Sequence, residues 1–189
     1  MACTALTRGR PLDCNRVSGG VKEIYFAVSD QVTSTTEASG EITEVNMGAN
    51  SIYKYVVPRG ATTVSETITG STENGTIFYT PTVTMVLNKL TKEDQNELKL
   101  LGQTQVIIFA LLNATKTSNG QNVILCLGRT NFMQLNAGSE DSGVAFGDRN
   151  GYTLTFDGLE EVPMGICKDY TTDPFDNLGA SGVAIPIVS

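Results

Sequence analysis

The sequence predicts a mainly β chain with a single helix, and three observations carry that expectation. Asn74-Gly75 joins two Thr-rich alternating runs, a strong short-range signal for a hairpin. Thr91 opens a short charged segment with the cap and apolar spacing of a helix. Asn150-Gly151 leads into Tyr152-Thr153-Leu154-Thr155-Phe156, another strict alternation. Neither this stretch nor any other looks assembled for chemistry. A sheet-building structural protein is the leading expectation, and an enzyme is not expected.

Along the chain, residues 1–20 read as a polar N-terminal arm carrying Pro11 and Gly19-Gly20. Val21 to Val28 has the β-branched and aromatic content of a strand. Residues 29–40 are Ser/Thr-rich and read as loop. Short strands follow at Glu41–Asn46 and Ser51–Val57, the second ended by Pro58 and Gly60. If Asn74-Gly75 is a two-residue type I′ turn, Glu73 faces Thr76, Val64 meets Met85 and Ile68 meets Pro81. One face of that hairpin then gathers Ile77, Tyr79, Val83, Met85 and Leu87 with Val64 and Ile68, interrupted by Glu66. The other gathers Thr63, Thr67, Thr69, Thr80, Thr82 and Thr84.

Thr91 with Asp94 forms a shortened capping box, and Leu90, Leu98 and Leu101 supply the buried stripe of a helix stopped by Gly102. Gln105–Leu112 and Asn122–Leu127 read as strands flanking a turn at Asn119-Gly120. Arg129–Leu135 reads as a weaker strand, Ala137–Gly147 as loop, and Tyr152–Phe156 as the start of a last long strand. That gives about eight or nine strands in a β domain over residues 21–163. Residues 164–189 read as a C-terminal extension whose apolar end adds to a neighbouring sheet edge.

The 189 residues fit one domain with arms, and 40% apolar content fills a real core. There is no His, which removes the commonest general base and metal ligand. The four cysteines form no C-x-x-C pair; Cys126 reads as a core hydrophobe, and whether Cys3 pairs with Cys14 stays open. The start lacks an apolar leader and no run is long enough for a membrane span, so synthesis in a cytoplasm with reduced thiols is expected. Net charge is −7, and residues 1–139 balance eleven acids with eleven bases. Residues 140–189 hold nine acids against Arg149 and Lys168, so the excess lies there and disfavours ordinary nucleic-acid binding.

The order of segments carries a resemblance. Thr7-Arg8-Gly9-Arg10-Pro11-Leu12-Asp13-Cys14 is followed by Gly19-Gly20-Val21-Lys22-Glu23-Ile24-Tyr25-Phe26, then Glu73-Asn74-Gly75-Thr76-Ile77-Phe78-Tyr79. Lys89-Leu90-Thr91, Glu97-Leu98-Lys99-Leu100-Leu101 and Gly147-Asp148-Arg149-Asn150-Gly151-Tyr152-Thr153-Leu154-Thr155-Phe156 complete it. This series resembles tail tube-like virion proteins of phages with marine and Bacteroidetes hosts. The resemblance implies a tail-tube-like β-sandwich or partial barrel with one flanking helix. It also implies hexameric rings that stack into a DNA-conducting tube of the virion tail, made in the host cytoplasm. Asp30–Asn50 and the long Gly-rich tail after Pro163 depart from that pattern and leave room for a tail hub, adaptor ring or terminator on the same fold.

Within this reading, Arg8, Arg10 and Arg16 are candidates for pairing with carboxylates of a neighbouring subunit, with Ile185 and Ile187 as apolar interface residues. Glu140, Asp141 and Asp148 are candidate lumen acids that repel DNA phosphates. Asn74, Gly75, Thr91, Asn150 and Gly151 are structural turn and cap positions. Glu140-Asp141 with Asp148 to Gly151 lacks the spacing of a calcium loop, so a plain turn is preferred and no metal or cofactor is expected. The expected partners are other copies of the chain and neighbouring tail proteins, with DNA passing through without sticking. A head-decoration or host-binding β-sandwich is the alternative, for which Tyr53, Tyr55 and Tyr170 are the placed aromatics.

Overall fold

A computed structural model describes residues 8–12 and 17–189. Two strands, β1 (Val21–Val28) and β7 (Val106–Thr115), form its centre and pair antiparallel from Val21↔Leu112 to Val28↔Val106. Their sequences are apolar at consecutive positions, which fits strands buried on both faces. Successive side chains point to opposite faces. Tyr25, Ala27, Ile107, Phe109 and Leu111 therefore enter one core, and Ile24, Phe26, Val106, Ile108 and Ala110 enter the other.

Around this pair lie β2 (Ser34–Ala38), β3 (Glu41–Asn46), β4 (Ile52–Val56), β8 (Asn122–Leu127), β11 (Gly165–Cys167) and β12 (Ile187–Val188). They make an eight-stranded sheet in the order β12-β4-β1-β7-β8-β11-β3-β2. A second sheet has four strands, β5 (Thr63–Ser71), β6 (Thr76–Asn88), β9 (Gln134–Asp141) and β10 (Gly151–Asp157), in the order β5-β6-β10-β9. Its inner face, led by Val83, Met85, Tyr152, Leu154 and Phe156, packs on the large sheet. The fold is a mainly β sandwich of two open sheets with one α-helix.

That helix, α1 (Lys92–Leu101), begins where the sequence predicts. The Thr91 hydroxyl oxygen accepts the Asp94 amide at 3.1 Å and donates to the Asp94 carboxylate at 2.6 Å, while Gly102 closes the last turn. Leu90, Leu98 and Leu101 lean on the second core from its flank. Asn150 locks the approach to the helix, its side-chain oxygen accepting the Leu90 amide and its carbonyl the Lys89 amide. Gly151 follows because a Cβ there would lie 2.0 Å from the Leu87 carbonyl oxygen.

The hairpin differs in detail from its sequence reading. Residues 72–75 form a four-residue connection, the Asn74 amide donates to the Ser71 hydroxyl, and Gly75 sits at φ 64. Val64 pairs with Val83 and Ile68 with Tyr79, a register two residues away from the type I′ expectation. A two-residue shift preserves side-chain faces. The apolar and threonine faces are thus the predicted ones, although every cross-strand partner changes.

Two loops of the sequence reading are strands. Ser34–Ala38 pairs with β3 as an exposed, polar edge and carries no apolar alternation to announce it. Gln134–Asp141 pairs with β10, whereas residues 129–132 make a turn with Phe132 at φ 63. The buried Glu160 carboxylate holds that turn by accepting the Thr130 and Asn131 amides. Past the turn, Met133 bridges to Val106 of the large sheet before the chain enters the small one. Gly138 suits this strand because a Cβ would stand 3.2 Å from a Leu154 methyl.

Residues 164–189 are built into the body. β11 lies between β8 and β3, and Phe175, Leu178 and Ile185 cover the first core. The Phe175 ring sits 4.8 Å from Tyr25 and 5.3 Å from Phe109, centroid to centroid. Asp176 accepts the amides of Thr171, Thr172 and Asp173 and fixes the loop that delivers it. β12 adds in parallel to the chain's own β4. Phe175→Ala is expected to cost about 3–5 kcal/mol, read as a lower urea midpoint, because it empties the contact that closes this face. A loss under about 1 kcal/mol would show that the C-terminal segment does not close the core.

Candidate assembly surface

The outer face of the small sheet is a field of hydroxyls. Rows across it read Thr63, Thr84, Thr155 and Ala137, then Ser65, Thr82, Asp157 and Gln134, with Thr67 beside Thr80 and Thr153 beside Ser139. The four strands contain no Lys or Arg, and their acids are Glu66, Glu140, Asp141 and Asp157. Asp157 sits on the hydroxyl face and bonds the Asn136 amide group. Arg149 touches its rim by donating to the Thr153 hydroxyl at 2.8 Å. Asp157 was outside the sequence-based site, although extending the Tyr152–Phe156 alternation by one residue puts it on the threonine side.

Both borders of this sheet are open among the described residues. β5 and β9 each have one neighbour and present the other backbone edge to solvent. Proteins usually blunt such edges with Lys, Pro or very short strands. Here the edges run nine and eight residues and carry neither residue type. β9 does carry a bulge and two terminal acids.

The sequence-predicted acids do not converge. Glu140 lies opposite Tyr152 on the inner side and accepts a bond from Gln95 of α1 at 2.7 Å. Asp141 accepts the Gly143 amide, and Asp148 accepts the Val144 and Ala145 amides at 2.9 and 2.6 Å. These two carboxylates shape a loop that holds Val144 and Phe146 fully in solvent. Arg8 and Arg10 are exposed, while Arg16, Cys3 and Cys14 lie outside the described residues. Ile185 is enclosed by the chain's own core at 5% exposure, which leaves it no surface for a neighbour; Ile187 stays 38% exposed on the edge strand.

Lys116, absent from the sequence-based site, fastens the C-terminal segment through Glu41, Asp169 and the Cys167 carbonyl. Tyr170 belongs to the same fastening, its carbonyl accepting from Gln121 and its hydroxyl from the Asn122 amide. Only the fold reveals such a cluster, because its members are separated by up to 128 positions between Glu41 and Asp169. Tyr53 and Tyr55 line a groove beside α1. Among the described residues, no group of three or more His, Cys, Asp or Glu is placed to hold a metal, and no helix is long and apolar enough to cross a membrane. No family model, curated protein or solved structure matches the chain.

The Ala145 and Val144 amides hold the Asp148 carboxyl below its ordinary value of 3.8. A depressed carboxylate keeps its folded partners above the unfolded pKa and loses them as pH falls through the folded one. The protection factors of the Val144 and Ala145 amides, measured against the intrinsic rate at each pH, are therefore expected to hold at neutral pH and to fall only below pH 3.8. Asp148→Ala is expected to lower these protection factors at neutral pH and to converge with wild type in acid; unchanged protection at neutral pH in that variant would refute the carboxylate's role.

Proposed function

We propose that this chain is a virion structural protein that forms a ring, hexameric by the family resemblance, in a phage tail tube or tail hub. The observation that carries the reading is one sheet with two open edges free of Lys and Pro and an outer face of hydroxyls. Adding β5 of one copy to β9 of the next is a head-to-tail contact, and such contacts close into rings when the rotation fits. Repetition of this step turns each four-stranded sheet into one segment of a barrel wall.

In that ring the hydroxyl face lines the bore, because the opposite face of the sheet is occupied by the core. Threonine hydroxyls hydrogen-bond water and carry no charge, and Asp157 adds a negative one. The strands of that wall supply no Lys or Arg, so phosphates meet a cation only at its rim, at Arg149, and DNA slides along the rest without being held. An adaptor or terminator ring uses the same edges and differs in its place along the tail.

Electron microscopy with light scattering of the purified chain tests this directly. Rings with a central hole of a few nanometres are expected, whereas a wild-type chain that stays monomeric at high concentration would overturn the proposal. Thr67→Lys with Thr69→Lys puts two charges on an exposed border strand. It is expected to leave the thermal midpoint within a few degrees and to abolish the rings.

A further inference from the structure

A groove of about 340 Å³ runs between the C-terminal half of α1 and the outer end of the large sheet. Phe26, Tyr53, Tyr55, Leu100 and Leu101 line it, and Glu97 stands on its rim. Leu100 is 59% exposed and Tyr53 is 37% exposed, so the groove is an apolar surface facing water. Glu97 has no cation partner among the described residues, and Asp94 lies one helical turn before it. Burial pushes the Tyr55 hydroxyl up to about 12, with the Glu97 and Asp94 carboxylates adding to the effect.

The same chain carries a segment of the complementary kind. Arg8, Arg10 and Leu12 are exposed, Leu12 at 98%, and the two arginines have no carboxylate partner among the described residues. Pro11 fixes its own φ and biases Arg10 toward extended backbone, which lowers the ordering cost of docking. An extended Arg-Pro-Leu strip offers a guanidinium to a carboxylate and a tyrosine ring, with an aliphatic side chain two residues on.

We infer that the N-terminal arm of one copy, residues 8–12, docks in the groove beside α1 of another copy, Leu12 entering between Tyr53 and Leu100 while Arg10 pairs with Glu97. Geometry favours a second copy over the chain's own groove. In the chain itself Leu12 stays 98% exposed and none of residues 8–12 lines the groove, so a copy's own arm leaves its groove open. Arm and groove are different surfaces, so the contact is head-to-tail and propagates from copy to copy. It is independent of the β5–β9 pairing proposed above.

Charge exchange in the full chain tests it. With Thr67→Lys and Thr69→Lys present to remove edge pairing, Arg10→Glu and Glu97→Arg are each expected to weaken self-association in analytical ultracentrifugation at least tenfold, and their combination in one chain to restore it. Mixing the two single variants is expected to restore assemblies of alternating copies, since native arm meets native groove at one junction and the two exchanged charges meet at the next. Leu12→Cys with Leu100→Cys, on a Cys3→Ser, Cys14→Ser background, is expected to give a ladder of disulfide-linked copies under oxidation. The same ladder is expected with Thr67→Lys and Thr69→Lys present, which separates arm docking from edge pairing. Single variants that associate normally, a double swap without recovery, or a cross-link confined within one chain would each overturn the inference.

Discussion

The two-sided burial of β1 and β7 is the constraint on which the rest of this fold depends. Seven consecutive positions from Val106 to Leu112 are apolar, and six of them are buried. Removing one face from water is not enough for such strands; each face needs its own cover. The small sheet and α1 cover one side. The other is covered by the inward residues of the sheet's own flanks and by the segment ending in Ile185, with Phe175 wedged against Tyr25 and Phe109. Residues 164–189 are therefore structural material, although their sequence has the Gly- and Pro-rich look of a tail.

Covering the large sheet in this way shapes the small one. Its inner residues are committed to the core, so its outer face is left with hydroxyls and its borders with unpaired backbone. Glu160 and the Met133–Val106 bridge hold the crossing between the sheets, which fixes where β9 begins and hence where that free border lies. Backbone edges are generic templates, and what makes these two informative is the lack of Lys and Pro along them. The hydroxyl face, the open borders and the proposed ring thus follow from one packing decision.

Elements with concentrated apolar content or a clear cap were legible from the chain. Val21–Val28, Glu41–Asn46 and Asn122–Leu127 stand where the sequence places them, and α1 starts at its Thr91 cap. Strands with neither were not. Ser34–Ala38 and Gln134–Asp141 are polar at nearly every position and owe their structure to the strands that recruit them. The site divides in the same way. The threonine face was readable because side-chain direction depends only on parity along the strand, whereas Glu140 turned toward Gln95 and Ile185 turned into the core through contacts made by distant residues.

By itself, the sequence determined the class of fold, the one helix and its cap, and the two faces of the Asn74-Gly75 hairpin. Those are local matters, set by hydrophobic period, capping chemistry and the alternation of a pleated strand. The tertiary structure decided the hairpin's register, the capture of residues 164–189 into the large sheet, and which strands remain at its borders. Each depends on pairing between residues far apart in the chain. A two-residue slip keeps every side chain on its face, so periodicity cannot choose between the registers; packing against the second sheet must.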